Sequence, residues 1–331
     1  MNKQLSLIGC LTIALTSAAY ADVHAFIWES TTGMRDLGAL GDTSIAFGIN
    51  NSGEVVGFSY LPDGRTIHMV TWTTGGGITD LGSIDNSSFS QGLGINSAGN
   101  IVGVGYDANG TQVIFFWSAS TGYVSLGEGP ASNGHGNAIN DGDVITGEIF
   151  KFPARSVGYV WQAPSGRRHN IGILAGGSQS TSLGINKWNH ITGAATLPNG
   201  AFDAIVWTRD EGMRDIGTVQ DGVTTTGVAI NVHDEVVGYG GIPRLPFYWK
   251  GATGMILLRT LGGTSDSSAN AINDNGVIAG YCSTPSGTSH ATLWSGPRAI
   301  PQDLGTLPGG TYSIASGIND FGQVVGSADV P

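Results

Sequence analysis

Charge is scarce in this chain: only 12% of its 331 residues are Asp, Glu, Lys or Arg. Basic residues are the scarcer sign, 14 against 25 acidic, for a formal net charge of -11. Such a mean field repels polyanions and argues against nucleic acid or acidic lipid as a partner. Cysteine is nearly absent, with two residues, Cys10 and Cys282. Past the N-terminus no run reaches the roughly 18 apolar residues of a membrane helix, so no membrane insertion is expected. Also missing are His-Glu-x-x-His, Cys-x-x-Cys, Gly-x-Ser-x-Gly and phosphate-loop patterns, so no local motif announces a metal centre or a nucleophile. Glycine is abundant, at 54 residues, yet 40% of the chain is hydrophobic, the opposite of a disordered composition.

Residues 1–21 read as a secretory signal peptide: Lys3, an apolar run over 5–15, then Ala19-Tyr20-Ala21 as a small-x-small cleavage site. Leu7-Ile8-Gly9-Cys10 resembles a lipoprotein box, but most of the apolar segment follows Cys10. The mature chain is thus expected to be 22–331, one secreted or periplasmic domain. Its sole cysteine, Cys282, can form no intrachain disulfide and reads as a buried packing residue.

What the chain has is a repeat. Tryptophans stand at 28, 72, 117, 161, 207, 249 and 294, and asparagines keep the same register at 50, 96, 140, 186, 231, 273 and 319. A glycine follows each asparagine by seven residues, at 57, 103, 147, 193, 238, 280 and 326. Seven copies of about 45 residues indicate a solenoid or a propeller. Each copy holds four short apolar segments, A to D, which in one copy span 44–50, 54–60, 67–72 and 78–82.

Segment A alternates with period two and therefore reads as a strand. Its positions six, four and two before the asparagine, such as Ser44, Ala46 and Gly48, are always Gly, Ala, Ser or Thr. Three residues after the asparagine stand Gly, Asp or Asn, the types that best accept positive φ, so A to B reads as a tight hairpin. Asn273-Asp274-Asn275-Gly276 looks like a calcium loop but lacks the alternating carboxylates of one. Segment C is apolar on both faces, as in Ala25-Phe26-Ile27-Trp28, and expects a sheet on each side.

An open stack of such units would need polar caps, and none is present. The mature chain begins inside segments C and D and ends with A and B. Pairing these halves completes one sheet. The expected fold is therefore all-β: a seven-bladed β-propeller of four-stranded antiparallel blades, closed by pairing N-terminal and C-terminal strands.

The residues also carry a family resemblance. His24-Ala25-Phe26-Ile27-Trp28, Gly33-Met34-Arg35-Asp36-Leu37-Gly38 and Gly317-Ile318-Asn319-Asp320-Phe321-Gly322-Gln323-Val324-Val325-Gly326 resemble the HAF-repeat extracellular proteins over the whole mature chain. The opening histidine recurs only at His68 and His290, and Leu257-Leu258-Arg259 replaces Asp-Leu-Gly in one copy. The resemblance implies an exported repeat protein and assigns no catalytic residues.

Chemistry is therefore sought in the loops. The D to A segments carry Asp42, Asp85, Glu128, Asp221 and Asp266, with His135 and Tyr312 nearby, all expected at one end of the ring. Such a cluster could bind a polyhydroxylated ligand or hold a divalent cation at the pore mouth, although unequal offsets leave its convergence open. Trp188, the off-register tryptophan, falls in an A to B turn as a candidate partner contact. Lys151, Arg155, Arg167 and Arg168 concentrate positive charge but belong to connections at opposite ends. His24, His68 and His290 share one repeat position, and neighbouring sheets about 10 Å apart hold them too far for zinc, leaving packing roles. The favoured reading is a monomeric binding module for a glycan, a cation or a protein, with no catalytic residue assigned. The alternatives are a polysaccharide lyase or glycosidase using acidic residues at the mouth, and a structural or adhesive surface protein.

Overall fold

The computed structural model describes residues 22–126, 134–151, 155–164, 166–219 and 223–331; the signal peptide expected over 1–21 lies outside them. Among the described residues, twenty-eight strands form seven four-stranded antiparallel sheets. Blade 1 joins the ends of the chain, with strand A Ser313–Ile318, B Val324–Asp329, C Val23–Glu29 and D Gly33–Gly38. Blade 2 follows with A Ser44–Ile49, B Glu54–Tyr60, C Ile67–Thr73 and D Ile78–Asp80. The A strands of blades 3 to 7 are Ser90–Ile95, Gly134–Ile139, Ser180–Ile185, Thr225–Ile230 and Ser268–Ile272. The closure is the one expected: Val23 pairs Asp329, and the register runs on to Trp28 opposite Val324.

Each apolar cluster is shared between neighbouring blades. Phe26 and Trp28 pack on Ala279, Ala291 and Leu304 of blade 7, while Ala25 and Ile27 pack on Val55, Val70 and Trp72 of blade 2. The C strand is covered twice, as its composition requires. Six of the seven register tryptophans are buried, Trp72 and Trp294 almost completely, whereas Trp117 is only partly so. Cys282 is buried, and its thiol is pushed up chiefly by that burial. The three repeat histidines take a different role from packing. Each is partly exposed and bonds a carboxylate on its own D strand: His24 to Asp36, His68 to Asp80 and His290 to Asp303, at 2.8 to 2.9 Å.

Two backbone features explain the repeat markers. First, every A strand contains a bulge between the positions four and two before the asparagine, for example between Ala46 and Gly48. The bulge brings strand A so close to strand B that a Cβ on the marker glycine would collide with a backbone carbonyl, that of Ile45 for Gly57 and of Ser268 for Gly280. Only glycine fits there. Second, the A to B turns carry positive φ where expected, at Gly53, Gly99, Asp143, Asn189, Asp234, Gly276 and Gly322.

The asparagines do more than close their own turns. Each Oδ1 accepts the backbone N–H groups two and four residues on, as Asn50 does from Ser52 and Glu54. Each Nδ2 donates to the carbonyl of the next asparagine: Asn50 to Asn96, Asn96 to Asn140, Asn140 to Asn186, Asn186 to Asn231, Asn231 to Asn273, Asn273 to Asn319, and Asn319 back to Asn50, all at 2.9 to 3.1 Å. The second Nδ2 hydrogen also finds an acceptor in six blades. It is the residue four on in the same turn (Glu54, Glu235, Gln323) or the positive-φ residue of the next turn (Asp143, Asn189, Asp234).

Around Asn273 those two places hold Val277 and Gly322, which offer no side-chain acceptor. Val277→Glu should supply one, as Glu54 and Glu235 do, and raise stability by about 0.5 to 1.5 kcal/mol. Denaturant unfolding checks this; an unchanged or lower midpoint contradicts it.

Candidate functional site

The bulge that demands the marker glycine also aims one side chain per blade at the axis. Phe47, Leu93, Asn137, Leu183, Val228, Asn270 and Ser316 line a central cavity of 520 Å³. Asn137 and Asn270 spend their amides on the next blade, donating to the carbonyls of Ser182 and Ala315 at 2.9 and 2.8 Å. The wall is therefore largely apolar, a size and character typical of small-molecule sites.

Polar groups gather at one mouth, where the B to C and D to A connections emerge. Tyr239, Arg244, Ser268 and Tyr281 line it, and Arg244 is the only charged lining side chain among the described residues. The Arg244 guanidinium stands 4.6 Å from the Tyr239 ring centre. Asp266 holds the loop by accepting the Arg244 backbone N–H at 2.9 Å, with Nε 4.0 Å from its other oxygen. Burial pushes the Tyr281 phenol up against the opposing pull of the Arg244 charge. Next to it the Tyr312 phenol is pushed up to about 12, mainly by burial, so both phenols remain hydrogen-bond donors at neutral pH.

Of the acidic residues that the sequence placed at this end, the mouth gathers Asp266, with Tyr312 beside it. Asp42 is exposed in its own loop. Asp85, at φ 54°, is exposed and accepts a 3.3 Å bond from the Ala108 N–H. His135 stands edge-on to Phe150, with Nδ1 3.5 Å from Oε1 of the fully buried Glu148. Glu128 and Asp221 lie outside the described residues, as do the side chains of Lys151 and Arg155. Trp188 belongs to the opposite end, on an A to B turn, and is 57% exposed. Among the described residues no three His, Cys, Asp or Glu side chains gather as a metal site would require. Arg244, Tyr239 and Tyr281 were not singled out in the sequence, because each lies in a different loop or strand and only the packing of blades 6 and 7 unites them.

One acidic pair is in direct contact elsewhere. Asp203 occupies the repeat position of His24, His68 and His290, four residues before its tryptophan, and bonds Asp215 where the others meet an aspartate. Burial first, and the Asp215 charge second, push the Asp203 carboxyl up to about 6. Hydrogen-bonded carboxyls are closer than the roughly 5 to 9.5 Å used in glycoside hydrolysis, so this pair is no glycosidase dyad.

No family model and no curated relative matches the chain. Solved structures of similar fold include TolB from Acinetobacter baumannii, at TM-score 0.55 and 10% identity over 84% of this chain and 64% of that one. The β-propeller domain of the trilobed protease from Pyrococcus furiosus matches at 0.58 and 10% over 88% and 97%, and virginiamycin B lyase from Staphylococcus aureus at 0.54 and 9% over 93% and 100%. This chain thus spans less than two thirds of TolB. These likenesses show the propeller fold alone. The Pyrococcus domain is described as having an open velcro topology, whereas here the head and tail strands pair.

Asp203 yields a pH test. Its folded-state value lies above the ordinary aspartate value, so stability falls as pH rises from about 4 to about 6, and the penalty is complete at pH 7. Asp203→Asn should therefore stabilise the protein by about 1 to 2 kcal/mol at pH 7 and by little at pH 4. Thermal unfolding at the two pH values checks it; an equal effect at both contradicts it.

Proposed function

We propose that the protein is an exported binding module of HAF-repeat type, taking a small ligand into the axial cavity through the mouth formed by Tyr239, Arg244 and Tyr281. The observation that carries this reading is the pairing of a largely apolar 520 Å³ cavity with one charged lining side chain, Arg244, at a rim where Asp266 is its carboxylate neighbour. An apolar wall suits the body of the ligand, and the guanidinium suits an anionic or hydroxyl-rich head. A cation at the rim favours such a head over a divalent metal ion. Export rests on the signal-like residues 1–21, and no helix among the described residues is long and apolar enough to cross a membrane. The site is built on strand ends and short connections, which gives a ligand preorganised walls.

A library of small carboxylates and oligosaccharides, screened by thermal shift on the mature chain, should yield a stabilising ligand. Arg244→Ala should weaken that ligand at least about tenfold, a loss of about 1.4 kcal/mol, without lowering the melting temperature of the free protein by a comparable amount. A ligand that binds the variant as well as the parent contradicts the assignment.

A further inference from the structure

The opposite end of the ring holds a second groove, of 790 Å³, across the turns of blades 4, 5 and 6. It is where this acidic chain concentrates its scarce positive charge. Arg167, Arg209, Arg214 and Lys250 line it, four of the 14 basic residues, together with three of the seven histidines, His169, His190 and His233. Lys250 is paired with Glu235 at 2.8 Å, and the Arg214 guanidinium stands 5.5 Å from the ring centre of Trp249. Arg167 and Arg209 are exposed and form no ion pair among the described residues. His190 is held at 2.7 Å by Asp234, which also accepts from Asn186. In the linear sequence Arg167, the Arg209 and Arg214 pair, and Lys250 belong to the C to D hairpins of three successive blades, whose packing brings them into one groove.

Trp188 supplies the aromatic element of the same groove. At the equivalent position two after the asparagine the other turns carry Ser52, Ala98, Gly142, His233, Asn275 and Phe321. The Trp188 indole N–H is already spent, donating to the Val232 carbonyl of the next blade at 3.0 Å, and the Lys187 ammonium stands 4.7 Å from the ring centre. The ring is thus fixed in place while remaining more than half exposed, and what it offers a ligand is its flat surface rather than a hydrogen bond. Such a surface suits the C–H face of a pyranose.

We infer that this groove binds an acidic oligosaccharide, with one sugar ring stacked on Trp188 and carboxylate groups on Arg167 and Arg209. The acceptors Asp210, Glu211 and Asp234 line the same groove as the cations. They would repel a uniformly anionic chain, but they can accept the hydroxyl donors that a uronic acid sugar carries beside its carboxylate. An acidic peptide brings carboxylates without those hydroxyls and fits the interleaved signs less well. The site is independent of the axial mouth, which lies at the other end of the blades.

The test uses the mature chain and trigalacturonate as probe, followed by isothermal titration calorimetry, with maltotriose and a triglutamate peptide as controls. Trigalacturonate should bind saturably, with affinity falling as salt is raised, because exposed charges carry part of it. Arg167→Ala/Arg209→Ala should weaken it at least about tenfold, as should Trp188→Ala, while Arg244→Ala should leave it unchanged. Circular dichroism melting of each variant separates lost binding from lost folding, since all three positions are surface turn residues. Absence of saturable binding at roughly 1 mM, equal binding of maltotriose, equal or tighter binding of triglutamate, or full retention by the Trp188 and Arg167/Arg209 variants would each overturn the assignment. Loss of binding in Arg244→Ala alone would move the saccharide to the axial mouth and overturn it as well.

Discussion

The structure depends on a relay of seven asparagine side chains, each closing its own turn with Oδ1 and reaching the next blade with Nδ2. A relay of this kind is satisfied at every member only if the seventh amide meets the first carbonyl. Asn319 does so with Asn50, across 269 positions of sequence. An open array would lose the bond from Asn319 to Asn50, a net loss of about 0.5 to 1.5 kcal/mol, and keep only the contacts within each turn, Gly53 N–H to Asn50 and Asn319 to Gln323. The hydrogen bonds therefore favour the same closed state that the apolar sheet faces favour, and local turn chemistry agrees with global topology.

The bulge in each A strand is the second constraint, and it links packing to function. It presses strand A against strand B, which fixes glycine at 57, 103, 147, 193, 238, 280 and 326. It also turns the residue three before the asparagine toward the axis, where size and polarity are free to differ from blade to blade. Phe47, Leu93 and Ser316 occupy one structural position and give the cavity unequal walls. The scaffold repeats strictly so that the lining need not.

Much of the fold was legible in the chain because its markers are local. The asparagine spacing, the Gly, Asp or Asn three residues later and the two-faced C segment each report a short-range requirement, and the split of segments between head and tail reports closure. The bulge was not legible, since strict alternation of small residues over 44–50 hides the extra residue at Phe47. Nor was the relay, because an asparagine that closes its own turn already accounts for itself. The candidate site was the least legible part. Asp266 and Tyr312 were found because acidic and aromatic loop residues stand out, but Arg244 and Tyr281 differ from ordinary surface and strand residues only once blades 6, 7 and 1 meet. Likewise Arg167 shares a groove with Arg209 and Trp188 only through the packing of blades 4 and 5.

Head-to-tail closure is the claim on which the completed relay and the ring around the axial cavity rest. Val23 and Asp329 are directly opposed in that seam, at a spacing compatible with a disulfide. In a Cys282→Ser background, the double variant Val23→Cys/Asp329→Cys should oxidise to an intramolecular disulfide in the folded monomer and melt at a higher temperature than its reduced form. Thiols that stay free in the folded protein under oxidising conditions, or that link only between molecules, would contradict the closed ring.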